Sequence, residues 1–152
     1  MMLARVATES DHEQLARLCT VAAARLAERR GGGALRSAWL DGAPDDQAFA
    51  AVARHVHGSD ATWLVVEIED ELVGAAVVWA IETEGWFAVY VDERHRHAGI
   101  GPKLGAHAVQ LLEERTSVRS IDVLALPGDR ALKSLLERAG FKARLLTMRR
   151  DL

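Results

Sequence analysis

One segment of the sequence combines the features that bind a phosphate group: glycines, the start of a helix and nearby cations. It reads Arg96-His97-Ala98-Gly99-Ile100-Gly101, and an apolar periodicity typical of a helix follows it. The first N–H groups of a helix have no partner within the helix, and the helix dipole favours an anion beside them. Glycines allow a backbone to approach a ligand closely. The segment therefore predicts a site where converging backbone N–H groups bind a diphosphate.

The charge around this segment favours the same kind of ligand. The chain has 152 residues and a formal net charge of −3, which argues against a general nucleic-acid binder. From Arg94 to Leu112 the sequence contains no Asp or Glu, whereas Arg94, Arg96 and Lys103 are cationic. A cationic stretch in an acidic protein indicates a small anionic ligand. A solvated basic face is the alternative, and composition alone favours it.

Two other phosphate-binding motifs do not fit this segment. The dinucleotide fingerprint Gly-x-Gly-x-x-Gly would need a third glycine where the sequence has Leu104. The Gly-Lys-Ser/Thr string of the Walker-type loop is absent from the chain.

The segment follows three consecutive predicted strands. Trp63 to Ile68 is rich in Val, Ile and Trp, Leu72 to Ile81 is almost continuously apolar, and Trp86 to Val91 follows a short polar turn. A continuous apolar strand is expected where both faces of a sheet are covered. Because the connections are short, the three strands predict an antiparallel meander.

The remaining elements predict an α/β layered domain on a mixed sheet. They are a strand over Leu3–Thr8, a helix from about Ser10 to Arg30, a helix from Pro44 to about His57, a helix from Lys103 to about Glu114, a strand over Ile121–Leu126, a helix capped by Asp129 and a last strand over Arg144–Arg149. The length fits one domain over residues 1–152.

The composition argues against several other classes of protein. The apolar run of Leu72 to Ile81 is too short to span a bilayer, and the N-terminus has no signal-peptide core. Cys19 is the single cysteine and cannot form an internal disulfide, so we expect a reducing, cytoplasmic location. Cys19 lies on the apolar stripe of its helix, which predicts a core residue and not a nucleophile. The sequence contains no Cys/His cluster that would predict a metal site. We also expect no membrane or nucleic-acid partner.

Two stretches of the sequence resemble motifs of the GCN5-related N-acetyltransferase (GNAT) superfamily. Val89-Tyr90-Val91-Asp92 with the following 96–101 segment is similar to its acetyl-CoA-binding motif. Asp129 to Phe141, a helix that ends in Gly-Phe, is similar to the next motif. The order of elements matches from Leu3 to Arg149. The resemblance implies a single GNAT-like domain of the α/β (α+β) class, with a mixed, mostly antiparallel central sheet and helices on both faces.

The resemblance also implies where acetyl-CoA binds. The strand Trp86–Val91 would carry a bulge and splay from Ile121–Leu126, and pantetheine would lie in the gap, paired with the backbone of Val89 and Val91. A free N–H near the bulge would polarise the thioester carbonyl. The implied cofactor-binding residues are Val89, Tyr90, Val91, Arg96, His97, Ala98, Gly99, Ile100, Gly101, Lys103, Asp129 and Lys133.

The activity that the resemblance implies is an N-acetyltransferase, which moves an acetyl group from acetyl-CoA to a primary amine by direct attack through a tetrahedral intermediate, without a metal. The alternative is a catalytically inactive CoA-binding sensor or interaction module with the same fold. A third possibility is an unrelated nucleotide-binding domain. The partner would be a small-molecule or peptide amine, and a homodimer is possible.

The sequence departs from the family pattern at three positions. Leu136 stands where the family often has a tyrosine that protonates the thiolate, Asp129 stands where it often has Asn, and Pro102 lacks an N–H. Glu84 is the candidate general base, with a solvated turn as its alternative. Tyr90 is a candidate near the thioester, with packing in the sheet as its alternative.

Acceptor recognition is expected from residues 31–60. Trp39, Asp41, Asp45 and Asp46 offer an aromatic surface and negative charge suited to a cationic amine, with a surface loop as the alternative.

Overall fold

The computed structural model describes residues 2–33, 61–146 and 148–152. Its elements are β1 (Ala4–Val6), α1 (His12–Ala27), β2 (Thr62–Ile68), β3 (Glu71–Ile81), β4 (Glu84–Val91), α2 (Ile100–Glu113), β5 (Ser120–Asp122) and α3 (Arg130–Arg138), with short 3-10 turns at Glu9–Asp11 and Glu93–His95. The helix expected over 44–57, together with Trp39, Asp41, Asp45 and Asp46, lies outside the described residues.

The strands form one mixed, mostly antiparallel sheet, as predicted, and their order in it is β1-β2-β3-β4-β5. The meander of β2, β3 and β4 is confirmed, and β5 pairs parallel to β4. The central strand β3 is buried from Leu72 to Trp79, because helices cover the sheet on both faces.

Each face of the sheet packs against a different helix. Leu64, Val78 and Phe87 point to one face, where they contact Ile100 and Leu104 of α2. The alternate positions point to the other face, where α1 packs on the sheet. Leu15 and Leu18 of α1 contact Val65, Leu72 and Ala75 there. The strand period of two therefore separates one core into an α2 face and an α1 face.

The bulge expected in the strand Trp86–Val91 is not formed. All pairs between β3 and β4 keep one register, from Gly74 with Val91 to Ile81 with Glu84. The register shift of the sheet lies instead between Val66 and Glu67 of β2. A bulge in β4 would turn alternate side chains to the wrong face, and this strand needs its alternation to bury Phe87 against α2.

The strand expected over Ile121–Leu126 is shorter than predicted. Pairing with β4 begins at Glu84 with Ser120 and ends at Trp86 with Asp122. Beyond Asp122 the chain leaves β4, and Val123 and Leu124 line a cavity. The apolar residues that follow Asp122 thus reflect contact with this cavity and not a longer pairing between β5 and β4.

The strand expected over Arg144–Arg149 is not formed in the described residues. The helix before it ends as predicted at Gly140 (φ +89°), and Phe141 packs edge-to-face on Phe87. Leu145 and Leu146 then stay 87% and 74% exposed. Adjacent leucines point to opposite faces of a strand, so they give this segment no single apolar face to bury.

An ion pair between the buried Asp11 and the partly exposed Arg5 fixes the start of α1 against the sheet. Asp11 is 4% exposed and accepts two hydrogen bonds from the Arg5 guanidinium, at 2.7 and 2.9 Å. It also accepts the Thr8 N–H at 2.7 Å, and Arg5 reaches Glu67 of β2 at 2.8 Å. The hydrogen bonds from Arg5 hold the pKa of Asp11 well below its usual value.

Replacing Asp11 by Asn is expected to lower the free energy of unfolding by about 1–2 kcal/mol, since Arg5 is partly exposed. A carboxyl with a lowered pKa stabilises the fold fully above its unfolded pKa of about 3.9, and this contribution is lost as the pH falls toward the folded pKa. Urea unfolding should therefore show a constant difference between the two proteins above about pH 5 and a shrinking one below about pH 4. A difference that does not depend on pH would contradict this.

Candidate active site

Half of the outer edge of β4 has no strand partner among the described residues. The N–H of Asp92 donates to the carbonyl of Val73 on β3 at 2.8 Å. Because backbone groups alternate sides along an antiparallel strand, those of Phe87, Val89 and Val91 point away from β3. Pairing with β5 has already ended at Trp86. The Phe87 N–H is still used in the parallel pairing of Trp86 with Asp122, so the edge beyond it presents the Phe87 C=O and the N–H and C=O groups of Val89 and Val91 without a strand partner.

The loop after β4 leads into an uncapped helix start. His97 (φ +67°) and Gly99 (φ +79°) adopt left-handed conformations that turn the chain into α2. No side chain caps α2, whose first hydrogen bond runs from the Lys103 N–H to the Gly99 carbonyl. The N–H groups of Ile100 and Gly101 precede that bond and have no partner within the helix.

A glycine on β3 holds this helix start close to the sheet. A Cβ at Gly74 would lie only 2.7 Å from Cγ2 of Ile100 and 3.2 Å from Leu104. The absence of a side chain at position 74 therefore lets α2 approach β3 and fixes the height of the loop above the β4 edge.

The free edge and the loop open on one cavity of about 760 Å³, a volume typical of small-molecule sites. Its walls come from both faces of the sheet: α1 on one side, and α3 with the 123–126 segment on the other. The cavity thus passes through the sheet where β5 leaves β4. Its lining includes Leu18, Cys19, Ala22, Trp63, Val77, Phe87, Ala88, Val89, Tyr90, Val91, Val123, Leu124, Leu132 and Leu135.

Cations line the loop end of the cavity. Arg25, in the last turn of α1, and Arg29, two residues beyond the end of that helix, line it together with Arg96. Arg25 pairs with Glu93 at 3.5 Å, and Arg29 pairs with Asp129 at 3.2 Å. These two ion pairs connect the C-terminal end of α1 and the turn after it to the chain on both sides of the opening.

Tyr90 contributes a phenol to the cavity wall. Its hydroxyl is buried and has no hydrogen-bond partner in the described structure. Burial raises the pKa of Tyr90, with the Arg96 charge opposing the shift. The group therefore stays protonated near neutral pH, where it can donate a proton but not accept one.

Cys19 also lines the cavity but is not a nucleophile. Burial raises the pKa of its thiol to about 12. The thiolate, the reactive form, is thus scarce at neutral pH.

Most of the residues expected to bind cofactor lie together at the cavity. The structure brings nine of the twelve to its lining: Val89, Tyr90, Val91, Arg96, His97, Gly99, Ile100, Gly101 and Asp129. Ala98, Lys103 and Lys133 are not part of it. The Lys103 ammonium donates to the Met2 carbonyl at 2.6 Å, and that of Lys133 donates to the Pro127 carbonyl at 3.1 Å.

The candidate base Glu84 is not brought to the cavity. It lies at the exposed β3–β4 turn, and five residues of strand, about 17 Å, separate it from Val89. Leu136, at the position of the family's tyrosine, is 8% exposed in the core beside α2. Neither position supplies a proton-transfer group to the described cavity wall.

Sequence reasoning missed three residues of this site. Arg25, Arg29 and Trp63 all line the cavity, and none was a candidate. A helix that continued to about Arg30, as predicted, would have placed both arginines on one side, because their spacing is four residues. The helix ends at Ala27 instead, and the sequence does not give the tilt that directs its C-terminal end toward the loop.

The described residues contain no group of three or more His, Cys, Asp or Glu side chains placed to hold a metal ion. None of the helices in this part of the chain has the length and apolarity to cross a membrane.

Comparisons with known proteins agree with the fold. The family described as the acetyltransferase (GNAT) domain matches residues 59–143, more than half of the chain. Phosphinothricin N-acetyltransferase from Streptomyces viridochromogenes is 30% identical over 92 residues, which cover 54% of this chain and 48% of that protein. The chain thus spans about half the length of this curated relative.

Solved structures match over the whole chain at low identity. A ribosomal-protein-alanine N-acetyltransferase from Brucella melitensis biovar Abortus 2308 has a TM-score of 0.67 and 20% identity, with 100% of both chains covered. AAC(6')-Iy in complex with the bisubstrate analogue CoA-S-monomethyl-acetylneamine has a TM-score of 0.64 and 16% identity, covering 100% of this chain and 99% of that one. At these identities the likeness concerns the fold.

The environment of Tyr90 can be measured directly, because it is the single tyrosine of the chain. We expect its phenolate absorbance to appear with a midpoint above about 10, the value of an exposed tyrosine, since burial disfavours the anion. In guanidinium chloride the midpoint should return to about 10. Equal midpoints in the folded and unfolded protein would show that the hydroxyl is solvated.

Proposed function

The chain belongs to the acetyltransferase (GNAT) family, and from that premise we propose that it transfers an acetyl group from acetyl-CoA to a primary amine. One observation carries the proposal: the unpaired edge of β4 and the uncapped start of α2 open on the same cavity. The edge suits an extended amide-bearing chain, and the helix start suits a diphosphate. In coenzyme A, pantetheine is such an extended amide-bearing chain, and the diphosphate follows directly after it.

In the proposed complex the loop holds the diphosphate and the strand holds the pantetheine. The N–H groups of Ile100 and Gly101 would donate to phosphate oxygens, with Arg96 adding attraction. Pro102 lies at the cavity but has no N–H to offer. The amides of pantetheine would pair with the backbone of Val91 and Val89, as an added strand does.

The same edge supplies the electrophilic group. The proposed donor to the thioester carbonyl is the free N–H of Val89 on the β4 edge, which the regular register fixes without a bulge. Attack by the amine forms the C–N bond and a tetrahedral oxyanion, which this fixed donor stabilises. Collapse breaks the C–S bond and releases the coenzyme as thiolate.

Tyr90 is the proposed proton donor to that thiolate. It lines the cavity beside the β4 edge, and its raised pKa keeps the phenol protonated. The amine would lose its proton to water, because Glu84 lies away from the cavity. The protonated Cys19 thiol supports direct attack over a covalent acetyl-enzyme.

The alternative, a CoA-binding module without chemistry, is favoured by one observation, the burial of Leu136 where the family often has its tyrosine. Calorimetry with acetyl-CoA and a screen of amines with mass detection of the acetylated product separate the two. Binding with turnover supports the proposal, and binding without turnover of any amine supports the module. A protein that binds neither acetyl-CoA nor CoA would contradict both.

A cytoplasmic location remains an expectation.

Gly101 allows a test of the diphosphate site that leaves the fold intact. A Cβ there would meet only Val91, at an ordinary 3.7 Å, and an acidic side chain in the first turn of a helix is stabilising. Gly101→Glu should therefore fold normally but place a carboxylate where the phosphates bind. We expect its Kd for acetyl-CoA, measured by calorimetry, to rise at least about tenfold above that of Gly101→Gln.

Gly101→Gln is the control of equal size without the charge. Equal affinities of the Glu and Gln variants would place the diphosphate elsewhere. Thermal unfolding of both variants checks that the helix start is preserved.

Removing the Tyr90 hydroxyl tests its role as the acid. Tyr90→Phe should lower kcat about 10- to 100-fold, toward the low end for a general acid because a thiolate leaves tolerably well without protonation. The Kd for acetyl-CoA should stay within about twofold, because the coenzyme is bound mainly by backbone groups. Unchanged kcat with a raised Kd would show that Tyr90 only packs against the coenzyme.

A further inference from the structure

The floor of the cavity on the α1 face is a row of three apolar side chains across the sheet. Trp63 of β2 is the register partner of Val77 on β3, and Val77 is the partner of Ala88 on β4. Directly paired residues share a face, and all three line the cavity. We call Trp63, Val77 and Ala88 the floor row.

The rows on either side define the shape of this floor. The neighbouring row toward the loop consists of Val65, Ala75 and Tyr90, and α1 partly covers this row. On the other side Trp79 and Trp86 stack, with ring centroids 6.4 Å apart and planes 13° apart. The two stacked indoles pack against Val77 and Ala88 on the side of the floor row that is farther from the loop. The floor row is therefore flat, apolar and supported by rigid groups.

Charge is absent from the floor row and concentrated at the loop end. Of the described residues that line the cavity, Asp129 is the one carboxylate. Its oxygens accept the Leu132 N–H at 3.1 Å and the Arg29 guanidinium at 3.2 Å. A polycation in this cavity would meet Arg25, Arg29 and Arg96, and its further ammonium groups would lack counter-charges on the described wall.

We propose that the acceptor is a primary amine carried on a flat apolar body, such as an arylalkylamine. The body would lie on the floor row against the Trp63 indole, and the amine would point to the β4 edge. Ala88 is the floor-row residue on β4, and its small side chain leaves room for the amine beside the edge of that strand. This inference rests on the proposed acetyl transfer and names the substrate class of the same site.

The reaction balances for such an acceptor. The amine nitrogen forms a bond to the acetyl carbon and loses one proton to water. The C–S bond breaks, and the sulfur takes one proton from the Tyr90 phenol, which water then restores. The products are an N-acetylated arylalkylamine and free CoA.

The first experiment compares classes of amine on the unaltered protein. Phenethylamine and tryptamine represent the proposed class, and spermidine and kanamycin represent polycations. We expect kcat/KM for the aromatic amines to exceed that for the polycations at least about tenfold, the discrimination that an apolar site provides. A preference for spermidine or kanamycin would overturn this inference and leave acetyl transfer in place.

The second experiment fills the space above the floor row. Ala88→Leu should raise the KM for phenethylamine about tenfold, with a smaller effect on ethylamine and little change in the Kd for acetyl-CoA. Ala106→Leu, the same change at an exposed position of α2, is the control and should alter none of these values. Ala88→Val, a smaller residue suited to a strand, is the second variant if Leu disturbs folding.

The outcomes separate the two proposals. An unchanged KM for phenethylamine in folded Ala88→Leu or Ala88→Val would show that the acceptor does not lie on the floor row. Binding of acetyl-CoA without turnover of any amine would overturn the proposed function, and this inference with it.

Discussion

The early departure of β5 from β4 is the constraint on which the rest of the structure depends. Had the two strands stayed paired beyond Trp86, the Phe87 C=O and the N–H and C=O groups of Val89 and Val91 would have been used within the sheet. Their separation instead leaves unsatisfied N–H and C=O groups beside a cavity, and such groups favour a ligand that can replace the missing strand. The opening through the sheet, the exposed edge and the access to both faces all follow from this one divergence.

The two faces of the sheet give the opening its two different ends. On the α2 face, the close approach permitted by Gly74 holds the start of α2 over the strand edge, with its first N–H groups free. On the α1 face, the Arg5–Asp11 pair fixes where α1 begins, and the helix then borders the apolar floor row. An anion-binding end and an apolar end are thus built from separate helices, and the proposed donor and acceptor would meet at the edge of β4.

The sequence predicted the parts of this arrangement that depend on local pattern. The meander followed from apolar runs and short turns, and the loop followed from glycines before a helical periodicity. The resemblance extended this to a family and to nine residues that line the cavity. The errors arose where tertiary contacts decide: Val123 and Leu124 border a cavity instead of pairing, Leu145 and Leu146 stay exposed, and the bulge lies in β2. Lys103 was expected at the loop because of its charge, but a lysine side chain is long enough to reach the Met2 carbonyl instead.

The way in which α1 ends has a consequence for the cleft. Arg25 lies in the last turn of α1, whereas Arg29 lies two residues beyond its last residue, Ala27, in a turn where its N–H donates to the carbonyl of Leu26 at 3.1 Å. The two arginines pair with opposite sides of the cleft, Arg25 with Glu93 and Arg29 with Asp129. The C-terminal end of one helix is thus a common attachment point for the chain before α2 and for the start of α3, on either side of the cleft.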